Sequence, residues 1–276
     1  IQEGMTLLED MLIDPANASR VLPDLIAGYV ASGEVERAEN LLERLIEDNP
    51  ANLMAQILRA ELFLRAGDLV SAEAILRQLT IIAPQDNAGY LALARFNLQQ
   101  GDLAAAQGVL EDGLETLETD QTMLLMLAQV YEQQKNFDSA IDTYETLYAL
   151  NDESSLVANN YASMLAEFRA DDPEAIAEAA RIARRLRGSD VPHFQDTYGW
   201  IAFLNGNVEE ARTMLVEAAA GLPQNALVRY HLGRVQAAAG NAEAARVELE
   251  AALAIDPAFP KAESARAVLA TLDGGG

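Results

Sequence analysis

The chain has 276 residues, half of them hydrophobic, and carries a formal charge of −24. Nucleic acid binding needs a basic footprint, so this charge argues against nucleic acid as a partner. The absence of cysteine excludes disulfides, thiolate metal ligands and a cysteine nucleophile. No run approaches the roughly 18 consecutive apolar residues of a membrane span. Plentiful Ala, Leu, Glu and Arg, with aromatic residues at only 6%, favour an almost entirely helical protein.

The chain opens on a stretch that looks like half of a repeating unit. Residues 1–18 contain MTLLEDMLIDP, which matches the end of the following unit, AENLLERLIEDNP. We interpret 1–18 as the second helix of a truncated leading repeat. The chain is then either a fragment of a longer array or an array that begins with a capping helix, and a signal or anchor preceding Ile1 stays open.

Landmark residues recur every 34 residues through most of the remaining chain. The predicted repeats are 19–52, 53–86, 87–120, 121–154, 155–191, 192–225 and 226–257, and 258–276 forms a capping helix and glycine tail. Each repeat contains two stretches with apolar residues at i, i+3, i+4 and i+7, which predicts two amphipathic helices joined by a short turn. In the second half of the fifth repeat the recurring residues lie three positions further along the chain than a period of 34 predicts. We place the three extra residues in the loop 169–173.

Glycine and proline mark the ends of the predicted helices. Gly67 and Gly101 follow the first helix of their repeats, where a left-handed residue ends a helix at little cost, and Pro84 stops a second helix. Lys135 occupies the glycine position once. We expect this to cost about 1 kcal/mol unless Asn136 takes the left-handed conformation instead.

Two stretches carry a resemblance to a known family. LAQVYEQQKNFDSAIDTY and HLGRVQAAAGNAEAARVEL resemble the tetratricopeptide repeat, whose 34-residue pattern combines W-x2-L-G-x2-Y, A-x3-F and a closing Pro. The resemblance covers about residues 19–257. It implies an all-α, right-handed superhelical solenoid of antiparallel helix pairs. It also implies a non-enzymatic scaffold whose partner is a protein or peptide segment.

A narrower resemblance concerns three short stretches. NNYASMLAEF, the DDP loop and QDTYGWIAFLNGNVEEA are similar to bacterial envelope repeat lipoproteins of exopolysaccharide-export systems of the PEP-CTERM type. This implies an alternative role as an assembly subunit of such a system and favours a periplasmic or outer-envelope location over the cytoplasm. Because such arrays are often fused to catalytic domains, the regulatory half of a larger enzyme is a further alternative.

The family resemblance also implies where a partner binds, because first helices line the concave side of such an array. The predicted groove residues are Arg65, Arg95, Gln99, Gln129, Gln133, Asn159, His193, Asp196, Trp200, Phe203, Tyr230 and Arg234. Arginine and amide side chains would bind backbone or carboxylate groups, and the aromatic end would anchor a side chain. The alternative is that these positions are only solvated and that Trp200 packs between helices.

The sequence contains few residues or motifs that are typical of a catalytic or metal site. It contains no Gly-rich phosphate loop, no G-x-S-x-G and no H-E-x-x-H, so we predict no enzyme activity, no cofactor and no metal. His193 and His231 have no assigned carboxylate partner, which argues against a metal site and against a pH-sensing role. The run RIARRLRG, residues 181–188, is the one basic cluster. Its four arginines suit the end of a helix that begins near Asp172, and the alternative is contact with an acidic partner or with the acidic array itself.

Overall fold

All regular structure in the described chain is helical. The computed structural model describes residues 2–12 and 15–274, and no strand occurs in those ranges. The predicted all-α class is therefore confirmed. The chain divides into two compact units, one ending at Lys135 and the other beginning at Asn136. The boundaries of the seven repeats stay a prediction.

The first unit is a succession of helix pairs. Its helices are α1 (Gln2–Leu12), α2 (Pro15–Ala31), α3 (Val35–Asp48), α4 (Leu53–Ala66), α5 (Leu69–Ile82), α6 (Asn87–Gln99), α7 (Leu103–Leu114) and α8 (Gln121–Gln133). Each helix packs on the next along the chain, and α2, α4 and α6 also contact one another in turn. Leu25 and Leu42 are fully buried between α2 and α3, and Leu110 and Met123 are fully buried between α7 and α8. The core is therefore a row of small clusters between neighbouring helices.

The second unit repeats this arrangement. Its helices are α9 (Phe137–Leu150), α10 (Ser155–Phe168), α11 (Pro173–Ala183), α12 (Pro192–Leu204), α13 (Val208–Gly221), α14 (Ala226–Ala238), α15 (Ala242–Ile255) and α16 (Ala262–Gly274). A 3-10 turn, Arg184–Leu186, follows α11. Helices α10, α12, α14 and α16 contact one another in turn, so the first helices of successive pairs form one layer. Ala211 and Leu215 of α13 are fully buried against α12 and α14.

The helix ends follow from the recurring residues. The Asp68 carboxylate accepts a hydrogen bond from the Ser71 backbone N–H at 3.0 Å, and Asp102 accepts one from the Ala105 N–H at 2.9 Å. Each carboxylate satisfies a backbone donor that the first turn of a helix leaves without a partner. Gly67, directly before Asp68, has φ 80°. One short turn therefore ends one helix and begins the next.

Lys135 adopts the left-handed conformation that glycine takes elsewhere, with φ 61°. Asn136 does not take this conformation, because it is the N-cap of α9 and its side chain accepts a hydrogen bond from the Ser139 N–H at 3.4 Å. The strain of about 1 kcal/mol therefore falls on Lys135 itself.

The fifth predicted repeat is irregular in its second helix. Pro173 lies in the first turn of α11, and Asp172 caps this turn by accepting from the Glu174 N–H at 2.9 Å. The α-helix ends after 11 residues at Ala183. The expectation that this helix closes with four arginines is therefore wrong, because only Arg181 lies in its last turn and the other three follow it.

Small residues set the distance between packed helices, and Gly89 shows this most clearly. A Cβ at Gly89 would lie 2.9 Å from the Leu79 Cβ, 3.1 Å from the Leu79 carbonyl carbon and 3.2 Å from the Thr80 backbone N. Such distances are too short for carbon atoms, and two of the three atoms belong to the backbone of α5. The close approach of α5 and α6 therefore depends on the missing side chain.

We expect Gly89→Ala to lower the free energy of unfolding by about 1–3 kcal/mol, because α5 and α6 must separate. Gly108→Ala is the matched control, since Gly108 lies inside α7 and a Cβ there meets nothing within 4 Å. That change should stabilise the protein by up to about 1 kcal/mol through helix propensity. Urea titration followed by circular dichroism measures both. Equal effects of the two changes would contradict a packing role for Gly89.

Candidate functional site

The predicted groove residues of the first unit all lie on first helices and are exposed. Arg65 belongs to α4, Arg95 and Gln99 to α6, and Gln129 and Gln133 to α8. The pairs on α6 and α8 are each spaced i, i+4, which puts both members on one face of their helix. These side chains are therefore accessible to a partner.

Helices α4 and α6 enclose a cleft of about 100 Å³. Arg95, Gln99 and Glu61 contribute its polar lining, and Leu64 and Phe96 contribute apolar lining. Among the described residues, Arg95 has no ion-pair partner, so its guanidinium is available. The cleft therefore exposes charged, amide and apolar groups side by side.

In the second unit the structure places the predicted residues at different depths. Asn159 on α10, Asp196 and Phe203 on α12 and Arg234 on α14 are half-buried, and His193 on α12 is exposed. Trp200 is 6% exposed and Tyr230 is 2% exposed. The Trp200 and Tyr230 rings therefore lie beneath the surface that the exposed residues of α12 and α14 form.

The aromatic residues of α12 and α14 form a packed group. The Trp200 ring stacks on the His231 ring with centroids 4.1 Å apart, and Phe203 lies 5.3 Å from Trp200. The Tyr230 hydroxyl accepts a hydrogen bond from Arg234 at 2.6 Å and lies 2.8 Å from the Ser264 hydroxyl. These contacts favour the packing role for Trp200 over direct anchoring of a partner.

A buried charged cluster lies beside this aromatic group. The His231 Nδ1 is 3.0 Å from a carboxylate oxygen of Asp196, and its Nε2 is 3.1 Å from one of Glu167. The Lys261 ammonium is 2.8 Å from the other oxygen of Glu167. Because both ring nitrogens face carboxylates, the geometry suits an imidazolium that donates from each nitrogen. We call these four residues the His231 cluster.

The charge of the His231 cluster follows from its surroundings. Burial disfavours the imidazolium, but the carboxylates of Asp196 and Glu167 outweigh burial and raise the pKa of His231 to about 9. Burial likewise disfavours the Glu167 carboxylate, yet His231 and Lys261 lower the pKa of Glu167 below its ordinary value. The cluster is therefore two carboxylates matched by two cations.

This cluster corrects one expectation from the sequence. His231 has two carboxylate partners, so the expectation that no carboxylate pairs with it is wrong. His193 is exposed and is not part of the cluster. Among the described residues, no group of three or more His, Cys, Asp or Glu side chains is placed to hold a metal ion. Within the same residues, no helix has the length and apolar character needed to cross a membrane.

Comparison with known proteins agrees with the helix-pair architecture. The tetratricopeptide-repeat profile matches residues 29–96, 97–164 and 202–269. Since these matches cover more than half of the sequence, the chain belongs to the tetratricopeptide-repeat family. Such repeats form protein-interaction scaffolds, and this chain has that fold. No curated protein matches the chain in sequence.

Several solved structures are similar in fold. A chain of the APC/C hetero-tetramer Cut9-Hcn1 gives a TM-score of 0.59 at 18% identity, covering 97% of this chain and 52% of that chain. YrrB, a TPR protein with an unusual peptide-binding site, gives 0.53 at 18% identity, covering 70% and 97%. A tetratricopeptide repeat protein from Parabacteroides merdae gives 0.52 at 17% identity, covering 93% and 99%. The present chain thus spans about half the length of the first of these, and such identities establish the fold alone.

Proposed function

We propose that the chain is a scaffold that binds a peptide or helix of a partner protein along its first helices and catalyses no reaction. The observation that carries this proposal is the cleft between α4 and α6, where Arg95 and Gln99 stand exposed beside the apolar side chains of Leu64 and Phe96. The Arg95 guanidinium and the Gln99 amide can bind carboxylate or backbone groups of a peptide, and an apolar side chain of the peptide can pack on Leu64 and Phe96. The similar fold of YrrB, described as a TPR protein with an unusual peptide-binding site, supports a peptide as the ligand.

The accessible residues of the second unit extend the proposal to that unit. His193 is exposed, and Phe203 and Arg234 are half-exposed at the surface of the layer formed by α12 and α14. Trp200 and Tyr230 lie beneath this surface and hold it in shape. The proposed contact residues there are therefore His193, Phe203 and Arg234, with the buried rings as their support.

Two narrower roles are alternatives. One is assembly of an envelope exopolysaccharide-export system, in which the array would bridge proteins or contact polymer, and it rests on the resemblance of three short stretches. The other is regulation of a larger enzyme, since such arrays are often fused to catalytic domains. Peptide binding in the groove is the property that tests the scaffold proposal.

Peptides selected from a random library on the wild-type chain provide the test. We expect Arg95→Ala to weaken their binding about tenfold, which corresponds to about 1.4 kcal/mol. Arg77→Ala is the matched control, because Arg77 lies on the second helix α5, is exposed and pairs with Glu73 at 2.5 Å. It removes the same charge outside the cleft. Fluorescence anisotropy of labelled peptides measures both affinities.

Two results would overturn the proposal. One is a library selection that yields no peptide with measurable affinity for the wild-type chain. The other is equal weakening by Arg95→Ala and Arg77→Ala, which would mean that the peptides respond only to overall charge.

A further inference from the structure

A second cleft lies on other helices, in the irregular part of the second unit. It measures about 380 Å³ and is formed by α11, its 3-10 turn, α12 and the start of α13. This volume is within the range of about 300–1,000 Å³ that holds small ligands or a few peptide side chains. None of the predicted groove residues lines it. It is therefore separate from the proposed groove.

Arginine dominates the charged lining of this cleft. Arg181, Arg184 and Arg187 line it together, whereas Glu210 is its only acidic lining residue in the described chain. Arg187 lies 3.2 Å from Glu210, and Arg181 pairs with Glu178 at 2.5 Å. Arg184 is exposed, and no ion pair holds it among the described residues. In a chain of net charge −24, this is a local excess of positive charge.

The early end of α11 brings these arginines to the cleft. Arg181 lies in the last turn of α11, Arg184 begins the 3-10 turn, and Arg187 follows this turn in an extended conformation with φ −59° and ψ 127°. The favourable interaction of a cation with the end of a helix acts within the last turn. It therefore accounts for Arg181, whereas Arg187 lies beyond the last turn and pairs with Glu210 of α13 instead.

The rest of the lining is apolar or amide, apart from Tyr198, whose hydroxyl donates a hydrogen bond to Glu210 at 2.7 Å. Ile201 and Ala202 of α12 and Ala183 of α11 supply apolar surface, and Asn205 and Asn207 supply amide groups. A bare inorganic anion would use only the arginines. A peptide would use all three kinds of lining, since it carries carboxylates, an apolar side chain and backbone groups together.

We propose that this cleft binds a short acidic segment of a partner protein, in which Asp or Glu side chains flank an aliphatic residue. The carboxylates accept hydrogen bonds from Arg184 and Arg187, whose planar guanidinium groups bind a carboxylate through two N–H donors. The aliphatic side chain packs on Ile201, and the asparagine amides bind the peptide backbone.

Two pools of acetylated, amidated heptapeptides test this proposal on the full chain. One pool contains Asp, Glu, Leu and Val, and the other has Asn and Gln in place of Asp and Glu. We expect only the acidic pool to shift the backbone amide NMR signals of residues 177–187 and 205–210. The shifts should diminish as salt rises, because exposed charges are screened. Inorganic phosphate is the third probe.

Variants locate the contact. Arg184→Gln with Arg187→Gln should weaken binding of the acidic pool at least about tenfold. Arg185→Gln is the matched control, since Arg185 is exposed on the same turn but does not line the cleft, and it should leave binding unchanged. Arg95→Ala should also leave binding unchanged, which separates this site from the groove.

Three results would overturn the proposal. They are equal shifts from the two pools, shifts from phosphate as strong as those from the acidic pool, and equal losses in the Arg185→Gln chain and the double variant. Circular dichroism of each variant shows whether the fold is retained. None of these outcomes depends on whether a peptide binds at Arg95.

Discussion

His231→Leu should lower the free energy of unfolding of the second unit by about 3–5 kcal/mol. Leucine removes the cation that both Asp196 and Glu167 face at 3.0 and 3.1 Å, while Lys261 remains beside Glu167 alone. Asp196, whose side chain is only 14% exposed, then has lost its cation, and the ring stacked on Trp200 is lost as well. Urea titration followed by the fluorescence of Trp200, the only tryptophan, reports on this region directly.

The same substitution at the other histidine is the control. His193 is exposed on α12, so His193→Leu should change stability by no more than about 0.5 kcal/mol. Adding Asp196→Asn to His231→Leu should recover part of the loss, because it removes the carboxylate left without a cation. A loss below about 1 kcal/mol for His231→Leu would show that the cluster contributes little to stability.

The stability of the second unit should also fall as pH rises from 6.5 to 9. The folded-state pKa of His231, about 9, lies above its ordinary value of 6.5. Below pH 6.5 the ring is protonated whether the chain is folded or not, and the contribution of His231 is complete. Between pH 6.5 and 9 only the folded state keeps the proton, so the contribution declines. The decline is on the order of 3 kcal/mol.

Glu167 has the opposite dependence on pH. Its pKa is lowered from the ordinary value of 4.5, so its contribution is present above pH 4.5 and is lost as pH falls through the lowered pKa. The cluster therefore stabilises most between pH 4.5 and 6.5. Urea midpoints at pH 6, 7.5 and 9 test the upper side, with the His231→Leu chain as the control that should show a flatter profile. A wild-type midpoint that is constant from pH 6 to 9 would contradict the assignment.

The helical architecture was predictable because its signals are local and repeated. The spacing of apolar residues predicts helices, and Gly67 with Asp68 marks a turn that recurs 34 residues later at Gly101 and Asp102. The end of α11 at Ala183 was not predictable in this way. Residues 181–187 continue a favourable helical pattern, and nothing in that pattern marks the change to a 3-10 turn at Arg184–Leu186.

The candidate sites were predictable only in part. A period of 34 residues places Arg95 and Gln99 on the first helix α6, and the cleft between α4 and α6 contains both. The same period puts Asp196 and His231 on neighbouring first helices, since they lie 35 residues apart, and this was the one available signal for their contact. Glu167 lies 64 residues from His231, and no local pattern indicates that they meet.

The His231 cluster changes how the second unit unfolds. In most repeat arrays each unit touches only its neighbours, so the array loses its end units one at a time. Here the ion pair between Lys261 and Glu167 joins the residue before α16 to α10, across α12 and α14. Detachment of α16 therefore also breaks a contact to a helix three pairs away. The cluster thus links helices that are not neighbours, and we expect α10, α12, α14 and α16 to unfold more cooperatively than nearest-neighbour contacts alone would make them.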